Sequence, residues 1–97
     1  MRYRTKDMEI EAVQWVGNNQ DEIDTLGAKT RYKIETLKEV TNIVGNTEKL
    51  QLELFQVYDY LQDTWVTVNP DDFIIKGMKG EFYPCNPEVF NAKYEPV

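Results

Sequence analysis

The sequence predicts an α+β fold, mostly β: a single small domain over 1–97 with a curled antiparallel sheet of about six strands, barrel-like, and one short helix. Three observations carry this. Short runs alternate apolar and polar residues, the signature of half-buried strands. Turn chemistry separates the runs, at Gly17-Asn18-Asn19, Gly45-Asn46 and Asn69-Pro70-Asp71-Asp72. Nothing alternates strand with helix in the manner of a parallel sheet. Ninety-seven residues leave too little chain for two cores, and no repeat or linker divides it.

In chain order, Met8–Val16 places Ile10, Ala12 and Gln14 on one face and Glu9, Glu11, Val13 and Trp15 on the other. A short helix follows. Asn18 or Asn19 caps it, Asp21 and Glu22 suit its positive N-terminal end, and Gly27 ends it, with Ile23 and Leu26 turned to the core. Thr30–Thr36 alternates again, with Tyr32 and Ile34 inward. The next stretch, LKEVTNIV, is open: Thr36 and Glu39 fit a capping box, while its β-branched residues fit extended chain, and an irregular link is the expectation.

From Lys49 the chain is a strand, with Leu50, Leu52 and Leu54 on one face and Phe55 and Val57 on the other. That switch implies a bulge near Phe55 or burial on both sides. Leu61-Gln62-Asp63 bends into TWVTV, Pro70 presets the next turn, and Phe73–Lys76 and Glu81–Cys85 are strands around a GMKG loop. Pro87–Phe90 makes one helical turn with proline at its start, and Tyr94 docks the tail.

A net charge of −6 argues against general nucleic-acid binding and against anionic membranes, both of which need a basic footprint. A basic pocket still holds an anion locally, because such repulsion is screened beyond about 8–10 Å. One cysteine forms no internal disulfide, and neither an apolar leader nor a membrane-length apolar run is visible. The expectation is a cytoplasmic protein.

Two stretches carry a family resemblance. VNPDDFIIKGMKGEFYPCNPEVFNAKYEP and the opening YRTKDMEIEAVQW resemble a family of small phage and prophage proteins marked by a Pro-Gly-Asp-Tyr turn, IIKGxKGEFYPC and a terminal Glu-bearing tail. The match covers roughly the first 16 and last 35 residues. This chain departs at Pro70-Asp71-Asp72-Phe73, where Asp72 stands for a glycine and Phe73 for a tyrosine of the family. That implies a turn that either has no need of positive φ or accepts it at a cost. The resemblance implies a phage-encoded protein of the host cytoplasm. By analogy with small phage sponges, it suggests anti-defence sequestration of a nucleotide-derived immune signal.

The chemistry excludes more than it selects. Without histidine the usual general base, the commonest zinc ligand and Ser-His or Cys-His pairs are missing. Cys85 lies among apolar and aromatic neighbours and reads as a packed thiol. Asp71-Asp72 reads as turn chemistry rather than a metal or carboxylate pair. No catalytic residue, metal or cofactor is expected, and the protein is read as a non-enzyme.

A binding module fits better. Lys76 and Lys79 flank Gly77, whose lack of a side chain lets a backbone or ligand approach closely, and Glu81 and Tyr83 follow. The lysines suit phosphate, and Tyr83 and Trp15 suit stacking, worth about 1–3 kcal/mol per base. Gln14 and Glu81 suit the polar edges. The expected ligand is an anionic, nucleotide-like small molecule held by a homo-oligomer. The alternative is an acidic phage protein that binds and inhibits a host protein.

Overall fold

The computed structural model describes residues 2–5 and 8–97. Lys6 and Asp7, within the opening motif, lie outside the described residues. The elements are β1 (Arg2–Arg4), β2 (Glu9–Gln14), α1 (Gln20–Leu26), β3 (Thr30–Thr41), β4 (Thr47–Asp59), β5 (Thr64–Val68), β6 (Phe73–Lys76), β7 (Phe82–Cys85), α2 (Pro87–Lys93) and β8 (Glu95–Pro96). They form two antiparallel sheets, ordered β7-β6-β2-β1-β8 and β3-β4-β5. The expected barrel is therefore corrected: the sheets are separate, and a second helix, α2, extends the single expected turn by most of another.

The five-stranded sheet is buried on both faces, which explains why β2 becomes apolar on both sides. Val13, Trp15, Ile74 and Phe82 pack on one side against Ile23 of α1 and Phe55, Val57 and Val68 of the smaller sheet. Tyr3, Ile10, Ala12, Phe73 and Ile75 pack on the other against Phe90 of α2 and Tyr94. Two core clusters back to back replace the one expected. Sharing a sheet between them is what lets so short a chain hold both. The second is aromatic: Phe90 stacks on Phe73 at 3.8 Å and 6°, and Tyr3 meets both rings edge-on.

Local chemistry sets the ends. Asn86 Oδ1 accepts the Glu88 N–H at 2.8 Å and Pro87 opens α2. Gly27, at φ 108, closes α1. Asn19 stands at the N-cap of α1 without a side-chain cap bond. Its amide instead ties the preceding loop, accepting from Val16 N–H at 2.9 Å and donating to Gln14 O at 2.7 Å. Of the two readings of the turn at Asp72, the structure bears out the one without positive φ there: the left-handed residue is Asp71, at φ 68, and the turn zips onto the end of β2 through Trp15 N–H to Asp72 O and Asp71 N–H to Trp15 O.

The largest departure is the middle of the chain. Thr30–Thr41 is one strand, so the expected irregular link is instead the outer half of a long hairpin closed by Asn42, whose Oδ1 accepts from Val44 and Asn46 N–H at 3.1 Å. The hairpin accounts for extents of 62 × 25 × 22 Å. Its root is buried, with Trp15 stacked on Phe55 at 3.8 Å, and three consecutive residues, Phe55, Gln56 and Val57, covered. Burial on both sides, not a bulge at Phe55, explains the face switch. The bulge lies in β3, between Thr36 and Lys38. Tyr32, paired with Phe55 at the root, turns inward as expected and its ring meets Phe55 at 5.2 Å and Trp15 at 6.4 Å, although it stays 46% exposed. Beyond the root the side chains are largely uncovered: Ile34, expected inward, is 61% exposed. No helix among the described residues is long and apolar enough to cross a membrane.

Candidate functional site

Sheet geometry sorts the proposed ligand residues. On β6 and β7, Lys76 pairs with Phe82 and shares the face of Ile74, whereas Ile75 pairs with Tyr83 on the opposite face. Lys76 and Lys79 therefore do not converge. Lys79, Gly77, Glu81 and Tyr83 instead line a hollow of about 390 Å³ with Met8, Ile10, Leu61, Met78 and Tyr94. Its walls are apolar and aromatic. Among the described residues, one ammonium, one carboxylate and two phenols supply its polar chemistry.

The loop between β6 and β7 is closed by Gly77 N–H to Glu81 O at 2.8 Å and Gly80 N–H to Gly77 O at 3.1 Å, with Gly80 at φ 80. The Glu81 carboxylate folds back over Gly77 and accepts the Lys79 N–H at 2.9 Å. A Cβ on Gly77 would overlap that carboxylate, so the carboxylate lies where it does only because residue 77 has no side chain. The loop thus holds an anion of its own. Neither the Lys76 nor the Lys79 ammonium enters an ion pair among the described residues.

The other proposed residues lie elsewhere. Trp15 is 6% exposed and its ring face is covered by Phe55, which leaves it no surface for a base. Gln14 donates from Nε2 to Asp71 O at 3.0 Å and holds the turn. A larger hollow, about 490 Å³, lies beside α1 and is lined by Arg2, Glu11, Val13, Asp21, Glu22, Thr25 and Leu26. Three carboxylates against one guanidinium make it unsuited to an anion.

Burial pushes the Tyr83 phenol above its ordinary value, with Tyr94, Glu81 and Cys85 adding to the shift. Tyr83 therefore stays a neutral hydrogen-bonding ring. Burial also raises the Cys85 thiol, and Asp72 raises it further against an opposing effect of Lys93. A thiol held neutral is a poor nucleophile. Among the described residues no group of three His, Cys, Asp or Glu stands together as a metal site.

Sequence reasoning missed Met8, Ile10 and Tyr94 as walls of the hollow. Alternation put Ile10 on the right face of β2, but only the pairing of β2 with β6, and of β6 with β7, brings that face beside Tyr83. In comparison with known proteins, no family model, curated protein or solved structure matches this chain.

Proposed function

We propose that the chain is a non-enzymatic binding protein of the phage type it resembles, a sponge that sequesters a nucleotide-like ligand in the hollow beside Lys79. The observation that carries this reading is the hollow itself: its volume suits a small molecule, and it joins an aromatic wall to the Lys79 ammonium, which enters no ion pair among the described residues. The ring of a base lies against Tyr83 and Tyr94, an anionic group meets Lys79, and Glu81 accepts from a base or ribose donor. Glu81 occupying the Lys79 N–H supports the same reading, because a backbone site that accepts a carboxylate also accepts a phosphate oxygen. Lys76, Gln14 and Trp15 drop out of the binding set.

A thermal-shift screen against linear and cyclic mono-, di- and trinucleotides and cyclic ADP-ribose isomers tests it. One class should stabilise the protein by about 2.7 kcal/mol at a hundredfold excess over Kd, and should be recovered intact on denaturation. Lys79→Ala should abolish the shift and Lys76→Ala should leave it. Absence of a shift with every nucleotide, or equal losses from the two lysine variants, would refute the assignment.

A further inference from the structure

The hairpin beyond its root presents two unlike faces. One carries Ile34 with Glu53, Thr36 with Gln51, Glu39 with Lys49 and Thr41 with Thr47; it is mostly polar and closed by a Glu39–Lys49 ion pair at 3.9 Å. The other, turned away from Trp15, carries five rows: Arg31 with Gln56, Lys33 with Leu54, Glu35 with Leu52, Lys38 with Leu50, and Val40 with Glu48. Leu50 and Leu52 there are 52% and 45% exposed, left uncovered by the described residues. At the tip, Ile43 and Val44 are uncovered too. Contiguous apolar surface of this kind marks a contact, and a protruding two-stranded ribbon is marginal alone.

The order of the rows says what the contact is. A twofold axis crossing the ribbon between the third and fourth rows reverses the strands and lays each row on its mirror row. Glu35 then meets Lys38 of a second copy, and Leu52 meets Leu50. Lys33 and Leu54 meet the row of Val40 and Glu48, which brings a cation within reach of a carboxylate. Further out, the tip with Ile43 and Val44 falls on the row of Arg31 and Gln56, where the Arg31 guanidinium lies 4.2 Å over the half-buried Trp65 ring. In this self-pairing the charges of the two central rows are opposite and their leucines match. If the ribbons ran parallel on the same rows, β3 of one copy would lie over β4 of the other, and Glu35 and Lys38 would fall on Leu52 and Leu50 with no charge partner.

We infer that this face is the contact of a symmetric dimer, in which two hairpins pack antiparallel through Leu50, Leu52 and Leu54 and are registered by Glu35 and Lys38. Rows on one face are about 7 Å apart, so the strip runs about 35 Å. With a width of about 10 Å, it offers on the order of 350 Å² per chain, a little under half of the ~800 Å² that each partner buries in a standard interface. The contact is separate from the hollow beside Lys79 and stands whether or not a nucleotide binds there.

Charge exchange tests it, using sedimentation equilibrium on the full chain. The unaltered protein should be dimeric. Glu35→Lys sets two lysines against each other across the axis, and Lys38→Glu sets two glutamates; each should raise the dissociation constant about tenfold or more. Mixing the two variants should restore association, because both cross-axis pairs are then opposite in charge, and the double variant E35K/K38E should dimerise alone. Restoration in the mixture separates pairing from damage to the fold or loss of the internal Lys33–Glu35 contact. A monomeric unaltered protein would overturn the inference. So would single variants that stay dimeric, a mixture that fails to associate, or a host protein seated on this face in place of a second copy.

Discussion

Replacing Gly77 by alanine separates the loop's own anion from a ligand's. The new Cβ would overlap Glu81 Oε1 and Cδ and stand 2.8 Å from Oε2, so the carboxylate must swing away and release the Lys79 N–H it holds at 2.9 Å. That exposed hydrogen bond is worth about 0.5–1.5 kcal/mol. The backbone itself tolerates alanine, since Gly77 is not at positive φ. Alanine also narrows the unfolded ensemble, returning about 0.4–1 kcal/mol. The net cost should lie between zero and about 1 kcal/mol, a fall in Tm of at most about 4–8 °C for a chain of this size. The freed N–H should raise the affinity of a nucleotide identified by the thermal-shift screen. A gain of about 1 kcal/mol is roughly fivefold, measured by isothermal titration against the unaltered protein. A loss of stability well beyond 2 kcal/mol would show the carboxylate is not displaced cheaply. Unchanged or weaker binding would remove the loop backbone from the site.

Three further outcomes follow from the same geometry. Phe90→Ala removes a fully buried ring that stacks on Phe73, and should cost about 3–5 kcal/mol in urea unfolding; a cost under 1 kcal/mol would mean the second core is not closed by this ring. Asp71→Gly relieves a left-handed backbone at φ 68 and should leave stability unchanged or raise it by up to about 1 kcal/mol, read by calorimetry; a clear fall would assign Asp71 a side-chain role. Cys85 has a folded pKa above its ordinary 9.0, so the folded state holds the thiol proton more tightly. Its contribution is complete below about pH 9 and is lost as pH rises through the folded value. Tm should fall more steeply above pH 9 in the unaltered protein than in Cys85→Ala, and parallel profiles would contradict the shift.

The sequence was legible where alternation met a cover. Ile10 and Ala12 against Val13 and Trp15 divided correctly between faces because the five-stranded sheet is packed on both. The short helix over α1 was readable from Asp21, Glu22 and Gly27, and α2 from Pro87. Alternation failed in β3 for a physical reason: the extra residue between Thr36 and Lys38 shifts the phase, so Leu37 and Val40 fall three apart and imitate a helical turn. It also misled at Ile34, since a pattern shows that a strand has an apolar face but not what lies on it. The paired lysines read as one grip because only the register of β6 with β7 reveals that Lys76 and Tyr83 point opposite ways. Trp15 failed as a ligand residue because Phe55, forty positions away, covers it.

What holds the outer hairpin in shape is then a question of coupling. Past Phe55 neither strand adds a buried residue to either cluster, so the outer ribbon keeps only its ladder and cross-strand pairs against the entropy of ordering it. Local opening there should cost far less than unfolding the sheets around Ile74 and Ile75, which are 0% and 1% exposed. In the monomeric Glu35→Lys variant, amides from Ile34 to Thr41 should show protection of about tenfold or less, equivalent to some 1.4 kcal/mol, while β2 and β6 exchange only with global unfolding. Dimerisation covers Leu50, Leu52 and Leu54 and should slow exchange in the hairpin, with little effect on β2 or β6 beyond the overall gain in stability. Hydrogen exchange at several protein concentrations reads both. If the outer amides of the monomeric variant were protected as well as Ile74, the ribbon would be rigid in its own right, and ordering would not be coupled to association.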